Sequence, residues 1–246
     1  MREEVTNLLN DLNRTFYDEL AEAFAASRGA SEPGLVRAFA QMQPGARVLD
    51  LGCGQGRVAA LLPASCEYVG MDFSAEMLAI AERTVNTGQY SGHLGSAPRF
   101  VVGNLLDPAW PTLVPGHYDW VILRAVLHHI PGAENRQAIV NSAAECLTAQ
   151  GHLVLANWQF LEIERLRRRL LPWDVVGLCP DDVEPGDYLL NWRREGYGVR
   201  YVHLIDEGET ADLAAHAGLT VDTMFRADGH NNNLTLYAVL RTQCCI

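Results

Sequence analysis

The chain has 246 residues and 48% apolar content, enough for one sizeable core, and α/β domains of this length are commonly single. We therefore expect one domain over residues 1–246. All 19 basic residues are Arg, and they stand against 30 acidic residues for a formal net charge of −11. Such a charge argues against diffuse nucleic-acid binding, which depends on neutralising phosphates, but it leaves room for a local basic patch.

The six cysteines show neither Cys-x-x-Cys nor Cys/His zinc spacing. We therefore expect no metal site, no disulfide framework and a reducing, cytoplasmic setting. The longest apolar runs are interrupted by charged or histidine side chains, so neither a signal peptide nor a membrane span is expected.

Apolar residues at three- and four-residue steps predict a helix over residues 3–27, within an N-terminal helical cap over residues 1–45. Strands and helices then alternate, which predicts an α/β fold with a Rossmann-like, doubly wound, mostly parallel sheet of seven strands. The predicted strands cover residues 47–51, 68–72, 100–103, 118–123 and 152–156, and the predicted helices start at residue 57 and cover 75–87 and 136–147.

The alternation stops at residues 157–206, where prolines, tryptophans and charges crowd together, and this stretch is interpreted as an insertion after the fifth strand. A helix over 207–217 and two strands over 219–225 and 234–240 follow. This last pair is expected to add an antiparallel C-terminal strand to the sheet.

A glycine turn, Asp50-Leu51-Gly52-Cys53-Gly54-Gln55-Gly56, follows the first predicted strand. Glycines there let the backbone approach a ligand where a Cβ would collide. Asp72 ends the next strand, and an acid so placed can hold ribose hydroxyls. Because Asp50 and the short glycine spacing oppose a pyrophosphate, the predicted ligand is an adenosine without phosphates. The alternative is a bare glycine turn in some other α/β domain.

These residues resemble motif I and the acidic loop of class I S-adenosylmethionine (SAM) methyltransferases. The resemblance implies an enzyme that uses SAM and releases S-adenosylhomocysteine. It also implies a cofactor site formed by Asp50, Gly52, Gly54 and Gly56 at the methionine end, Asp72 at the ribose, Phe73 and Met77 at the adenine, and Asn104, Leu105 and Arg124 after the next two strands. Asn104 stands where the family usually has an acid. Phe73 and Met77 also fit ordinary helix packing.

The segment from Arg124 to Ile130 resembles the family's motif after the fourth strand and contains the pair His128-His129. Imidazole titrates near neutrality, so the pair suggests a general base, with His128 as the candidate catalytic residue. Methyl transfer is an in-line displacement that needs a base only when the nucleophile carries a proton. We therefore expect one of the two histidines to pack the loop.

Two segments of the insertion, Gly186–Arg194 and Arg200–Glu209, resemble the C-terminal signature of the wobble-uridine tRNA methyltransferases that esterify 5-carboxymethyluridine. The opening helix, Phe16–Arg28, is also similar. The resemblance implies that Tyr17 and Arg28 close over SAM, that Trp192, Arg193, Arg200, Tyr201 and His203 line the acceptor pocket, and that Arg193, Arg200, His203 and His128 form the catalytic set.

The acceptor itself stays open at this stage. A carboxylate is already ionised at pH 7 and is well oriented by Arg through paired hydrogen bonds, although these arginines also fit surface salt bridges with the nearby acids. The run Arg165–Arg169 suits a tRNA anticodon backbone, whereas the acidic charge favours a small molecule. The alternatives are a small-molecule O- or N-methyltransferase and a non-catalytic SAM-binding module. No membrane partner is expected, and whether an activator subunit serves this chain is left open.

Overall fold

The structure of the protein, a computed structural model, describes residues 1–26, 32–86, 93–193 and 196–243. Arg28 therefore lies outside the described residues. The helices are α1 (Glu3–Glu19), α2 (Ala21–Ala26), α3 (Pro33–Ala38), α4 (Ala75–Asn86), α5 (Ala133–Glu145), α6 (Glu164–Arg167) and α7 (Glu207–His216). The strands are β1 (Arg47–Leu51), β2 (Glu67–Asp72), β3 (Arg99–Val102), β4 (Tyr118–Arg124), β5 (Leu147–Trp158), β6 (Leu170–Leu171), β7 (Asp187–Trp192), β8 (Gly198–His203), β9 (Leu219–Ala227) and β10 (Thr235–Thr242).

The main sheet has seven strands in the order β3-β2-β1-β4-β5-β10-β9. Strands β1 to β5 pair in parallel, and β10 is antiparallel to both of its neighbours. This confirms the predicted α/β class, the seven-stranded sheet and its antiparallel C-terminal strand. The order reverses between β1 and β4, and the carboxyl ends of strands at such a switch point form the crevice where open α/β sheets bind ligands.

Alternating side chains divide the sheet between two apolar layers, as the two-residue period of a strand requires. On β4, Val121 and Leu123 pack into one buried cluster with Leu49, whereas Trp120 and Ile122 pack into the other. Both faces of the central strands are therefore covered, and polar groups are confined to the strand ends.

Two predicted elements differ from those observed. The helix predicted over residues 3–27 ends at Glu19, and a second short helix begins at Ala21. The helix predicted from Arg57 is a single 3₁₀ turn, Arg57–Leu61. None of the described helices is long and apolar enough to cross a membrane.

The predicted insertion contains a second sheet that the sequence pattern did not reveal. Its three antiparallel strands lie in the order β6-β7-β8, so β8 is an edge strand. Helix α1 crosses this edge: its Val5 and Leu9 pack with Leu189 and Tyr201 of the small sheet. The N-terminal helix is therefore fixed to the insertion as well as to Met77 and Ile80 of α4.

One buried asparagine on α1 binds the edge of β8. The Asn13 side-chain oxygen accepts the backbone N–H of Tyr201 at 2.9 Å, and its nitrogen donates to the Tyr201 carbonyl at 3.2 Å. The same nitrogen donates to the carbonyl of His129 at 3.0 Å. The side-chain amide thus takes the place of a neighbouring strand and joins α1, β8 and the turn after β4.

We predict that Asn13→Ala lowers the free energy of unfolding by about 2–4 kcal/mol, because it leaves buried backbone groups of Tyr201 and His129 without partners. Asn7→Ala is the matched control, since Asn7 is exposed on the same helix, and we expect its effect to stay within about 0.5 kcal/mol. Urea unfolding at equilibrium measures both. Equal midpoints for the two variants would show that Asn13 does not hold the helix.

Candidate active site

A cleft that is partly open to solvent lies at the carboxyl ends of β1, β2 and β4 beneath α1. It brings together most of the predicted cofactor residues, which come from five separate segments of the chain. Those lining it are Tyr17, Asp50, Gly52, Gly54, Asp72, Phe73, Met77, Asn104, Leu105 and Arg124. Gly56 does not line the cleft; it begins the 3₁₀ turn with φ +74°.

The glycine turn packs tightly against the segment after β4. Gly52 has φ +72°, and a Cβ there would come within 2.3 Å of Val126 Cγ2. The Gly54 amide donates to Asp72 Oδ2 at 2.7 Å, and the Ser74 amide donates to Asp72 Oδ1 at 3.0 Å. Asp72 therefore fixes the glycine turn and the segment before α4. Burial raises the pKa of Asp72 despite these bonds.

Asp50 lies at the buried end of the cleft and is 1% exposed. The Tyr68 hydroxyl donates to Asp50 Oδ2 at 2.7 Å. Burial raises the pKa of Asp50 from 3.8 to about 7, although the Tyr68 hydrogen bond and the charge of Arg124 oppose the shift. The carboxyl group is therefore poised to ionise when a cation enters beside it.

Two arginines of the cleft share one buried acid. Arg57 contacts Glu32 at 2.7 Å, and Arg124 contacts both oxygens of the same carboxylate, at 2.5 and 2.7 Å. One carboxylate between two guanidinium groups leaves a surplus positive charge at this end of the cleft. Asp50 lies at the same end, so the cleft offers charges of both signs to a zwitterionic ligand.

The opposite wall of the cleft is formed by α1, which places Asn10, Asn13 and Tyr17 along one face. The Tyr17 hydroxyl lies 2.9 Å from His129 Nε2, and His129 Nδ1 lies 3.0 Å from the Tyr201 carbonyl. A carbonyl oxygen only accepts, so Nδ1 carries the proton; in the neutral ring Nε2 then accepts from Tyr17.

The two adjacent histidines have different surroundings. His129 lines the cleft, whereas His128 is fully buried and stacks on Trp158 at a ring separation of 4.8 Å. Consecutive residues of the 3₁₀ turn Leu127–His129 point in different directions, so only one of the pair faces the ligand site. The structure thus places His129, and not His128, at the cleft, and the catalytic role predicted for His128 stays a prediction.

Arg200 lies behind Tyr17 and does not line the cleft. Its guanidinium is surrounded by the rings of Phe16, Trp158 and Trp192, at 4.7, 5.1 and 5.6 Å. It forms a hydrogen bond with Tyr17, and burial lowers its pKa. Arg200 can therefore act on the cleft through the Tyr17 hydroxyl.

The prediction that Tyr201 and His203 line the acceptor pocket is corrected by the structure. Side chains alternate along β8, so Tyr201 and His203 face away from Arg200. The Tyr201 hydroxyl donates to Asp187 Oδ1 at 2.6 Å, and His203 contacts Asp187 and Glu209 at 2.6 and 2.8 Å through its two ring nitrogens. Only the Tyr201 backbone reaches the cleft, through His129.

His203 belongs to a buried ionic cluster away from the cleft. Burial alone lowers the pKa of an imidazole, but the hydrogen bonds to Asp187 and Glu209 outweigh it and raise the pKa of His203. Arg136 bridges Glu184 and Glu209 at 3.2 and 2.7 Å and donates to the Ile130 carbonyl at 3.2 Å.

The cluster also contains three possible metal ligands: a carboxylate oxygen of Glu184, one of Asp187 and a ring nitrogen of His203. These three atoms lie within 4.8 Å of one another, a grouping that can hold a metal ion. Arg136 already supplies a cation to Glu184, and His203 contacts Asp187, so these acids also belong to an ion-pair network. The expectation of a protein without a metal site stays a prediction.

The remaining acceptor candidates lie outside the cleft. Trp192 is buried against Phe16, with ring centroids 6.0 Å apart, and Arg193 is exposed just beyond the end of β7. Neither lines the cleft.

Sequence reasoning missed Asn10, Asn13, Arg57 and Glu32. Asn13 falls within the apolar stripe of α1, between Leu9 and Phe16, and all three are buried. A polar residue in an apolar stripe was the available signal, because it must find buried partners. No comparable pattern marked Glu32 or Arg57, whose pairing depends on the tertiary fold.

Comparisons with known proteins bear on this cleft. Residues 49–153 match the family model described as "Methyltransferase domain". These residues are a methyltransferase domain. The matched segment begins in β1 and ends in β5, so it contains the glycine turn, Asp72 and the histidine pair.

Curated relatives are similar beyond this domain. A protein named tRNA (carboxymethyluridine(34)-5-O)-methyltransferase from Schizosaccharomyces pombe is 23% identical over 224 residues, covering 85% of this chain and 89% of that protein. One of the same name from Arabidopsis thaliana is 25% identical over 142 residues, covering 58% of this chain but only 31% of that protein. The chain thus spans about a third of the length of the plant relative.

The fold is also similar to solved structures. One of them is magnesium protoporphyrin IX methyltransferase from Synechocystis PCC 6803, solved with bound S-adenosylhomocysteine. It superposes on this chain with a TM-score of 0.64 at 17% sequence identity. The match covers 94% of this chain and 98% of that one. At this identity the likeness shows the shared fold alone.

We predict that Asp50→Asn stabilises the protein in a pH-dependent way. Between pH 4 and 7 the unfolded chain releases a proton that folded Asp50 retains, so the raised pKa lowers stability as pH increases through this interval. The variant lacks this titration. The free energy of unfolding of the variant minus that of the parent should therefore rise with pH. It should reach about 2–4 kcal/mol at pH 8.

Urea unfolding between pH 4 and pH 8 measures this difference. Asp11→Asn is the control, because Asp11 is exposed on α1 and its substitution should give no such rise. A difference between Asp50→Asn and the parent that stays constant with pH would show that Asp50 is already ionised in the folded protein.

Proposed function

We propose that the cleft binds SAM with its methionine end at Asp50 and the two arginines, and its ribose at Asp72. The mixed charges fit the zwitterionic amino acid, and the close contact of Gly52 with Val126 supports a backbone cradle that a Cβ would fill. Phe73 and Met77 would hold the adenine. When bound, SAM supplies an electrophilic methyl group on a sulfonium.

We further propose that the acceptor is a carboxylate, and that its class is the 5-carboxymethyl group of a tRNA wobble uridine. The observation that carries this proposal is the S. pombe alignment, which covers 85% of the chain and so extends well beyond the methyltransferase domain. A carboxylate is ionised at pH 7 and needs no general base. No role as a base is therefore required of His129, whose Nε2 lies 2.9 Å from the Tyr17 hydroxyl.

In this proposal the polar groups on α1 orient the acceptor. Tyr17 lines the cleft and contacts Phe73 edge-on, at 6.1 Å between ring centroids, so it lies above the adenine side of the cofactor site. Arg200 holds the Tyr17 hydroxyl from behind and is a positioning residue. Its buried charge also favours an anion in front of Tyr17, because charges act strongly where water is excluded.

A small carboxylic acid is the second candidate acceptor. The net charge of −11 opposes a polyanion, and a structural neighbour is named for a small-molecule substrate, a porphyrin. An N-methyltransferase would need an acceptor that loses a proton, and a non-catalytic SAM-binding module would transfer nothing. These readings differ in the product, which makes the product the decisive observation.

The test combines purified protein, SAM with a labelled methyl group, and tRNA carrying 5-carboxymethyluridine. We expect label in the tRNA that mild alkali releases as methanol, since methyl esters hydrolyse under conditions that leave N-methyl groups intact. Label that resists alkali would contradict a carboxylate acceptor. Transfer to small carboxylic acids but not to tRNA would favour the second candidate, and SAM binding without any transfer would favour the binding module.

We predict that Arg200→Lys lowers kcat/KM for the acceptor, because an ammonium cannot replace the planar guanidinium behind Tyr17. The expected loss of transition-state stabilisation is about 2–4 kcal/mol. SAM affinity, measured by calorimetry, should stay unchanged. Arg241→Lys is the matched control: Arg241 is exposed on β10, away from the cleft, and we expect a change within about twofold.

Tyr17→Phe separates positioning from folding. If Arg200 acts through the Tyr17 hydroxyl, removing that hydroxyl should lower kcat/KM to a similar extent while the chain stays folded. The expected loss of transition-state stabilisation is about 1.5–3 kcal/mol. A loss of SAM affinity in either variant, with the acceptor KM unchanged, would place the pair in the cofactor site instead.

A further inference from the structure

The densest cluster of positive charge lies on the small sheet, outside the cleft. Arg165, Arg167 and Arg168 are exposed in and beside α6, where four arginines stand among two glutamates over residues 162–169. The Asn191 amide donates to the Arg169 carbonyl at 2.9 Å. The basic run therefore leads into β6 beside the end of β7, and exposed Arg193 follows two residues after Asn191.

An exposed aromatic ring lies at the same end of the sheet. Trp192 pairs with Gly198 at the end of the β7–β8 hairpin, so Arg193 and Tyr197 follow on its two strands. Tyr197 is 59% exposed and is the one aromatic among the large apolar side chains that are exposed in the described part of the chain. Here Arg165, Arg167, Arg168, Arg193 and Tyr197 are together called the arginine edge.

The arginine edge is held firmly against the walls of the cleft. Leu166, between the arginines, is buried in a cluster with Trp158. Trp158 stacks on His128 and lies 5.1 Å from the Arg200 guanidinium. On the other side, Trp192 packs against Phe16, next to Tyr17. A polymer bound along this edge would pass close to the acceptor wall.

The charges of this edge remain available to a ligand. Arg168 and Arg167 contact Glu164 at 2.5 and 3.8 Å, with side chains 77% and 58% exposed. Exposed ion pairs of this kind contribute little and exchange readily for a stronger anion. Planar guanidinium groups bind phosphate through paired hydrogen bonds, and an exposed aromatic ring stacks on an unpaired base.

We infer that the arginine edge binds the phosphate backbone of a folded RNA while Tyr197 stacks on one of its unpaired bases. The choice of RNA rests on the proposed function, whereas the charge and the exposed ring are properties of the surface itself. An anionic membrane is a poorer fit, because Leu166, the apolar residue of α6, is buried and offers nothing to insert between lipids.

The experiment measures binding of fluorescent tRNA to the whole protein by anisotropy over a series of salt concentrations, without SAM. The test variant changes Arg165, Arg167, Arg168 and Arg193 to Gln. The control makes the same charge change at Arg2, Arg47, Arg83 and Arg241, which are exposed in single ion pairs elsewhere. Thermal unfolding confirms that both variants are folded.

We expect the slope of log Kobs against log salt concentration to become shallower by about 3 in the test variant and to stay within about 1 of the parent in the control. Tyr197→Ala should weaken binding by about tenfold, whereas Tyr197→Phe retains the stacking surface and should bind like the parent. Equal losses in the two arginine variants would overturn the inference, because they would indicate diffuse charge.

Two further outcomes separate this inference from the proposed function. Salt-dependent tRNA binding by the edge without methyl transfer would overturn the tRNA acceptor and leave the edge standing. Methyl transfer to tRNA with the same KM in the test variant would overturn the edge and leave the acceptor standing. Binding of phosphatidylserine vesicles in place of tRNA would also overturn it.

Discussion

The cleft depends on α1 covering the edge of strand β8. The contact is made at the backbone of Tyr201. Its N–H and carbonyl are both bound by Asn13, and the carbonyl also accepts from His129 Nδ1. An exposed strand edge would leave these groups to water. Because they are bound by α1 and by the turn after β4, the N-terminal helix, the inserted sheet and the methyltransferase domain meet at one residue.

The same region shows how binding capacity reduces stability. Asp50 is buried so deeply that its pKa rises to about 7, and Asp72 is also shifted upward by burial. Two acids buried in one cleft repel each other and favour protonation. A ligand that brings a positive charge and hydroxyl groups removes this penalty, so the protein holds a destabilised site that its ligand stabilises.

Much of this organisation could be predicted from the sequence, and the limits have physical causes. The glycine turn and Asp72 are local features of two strand ends, so their meeting follows from parallel pairing alone. The small sheet was missed because β6 has two residues and β7 lies among prolines and charges. The Glu32 pairing with Arg57 and Arg124 joins distant segments, and no local pattern records it.

The segment Arg200-Tyr201-Val202-His203 shows what a motif conveys and what it does not. Its alternation as a strand sends Arg200 toward Tyr17 and the cleft, but sends Tyr201 and His203 into an ionic cluster with Asp187. Two of its three notable side chains therefore hold the inserted sheet together rather than facing an acceptor. The segment thus supports the wall of the cleft through Arg200, whereas the polar side chains on that wall, Asn10 and Tyr17, come from α1.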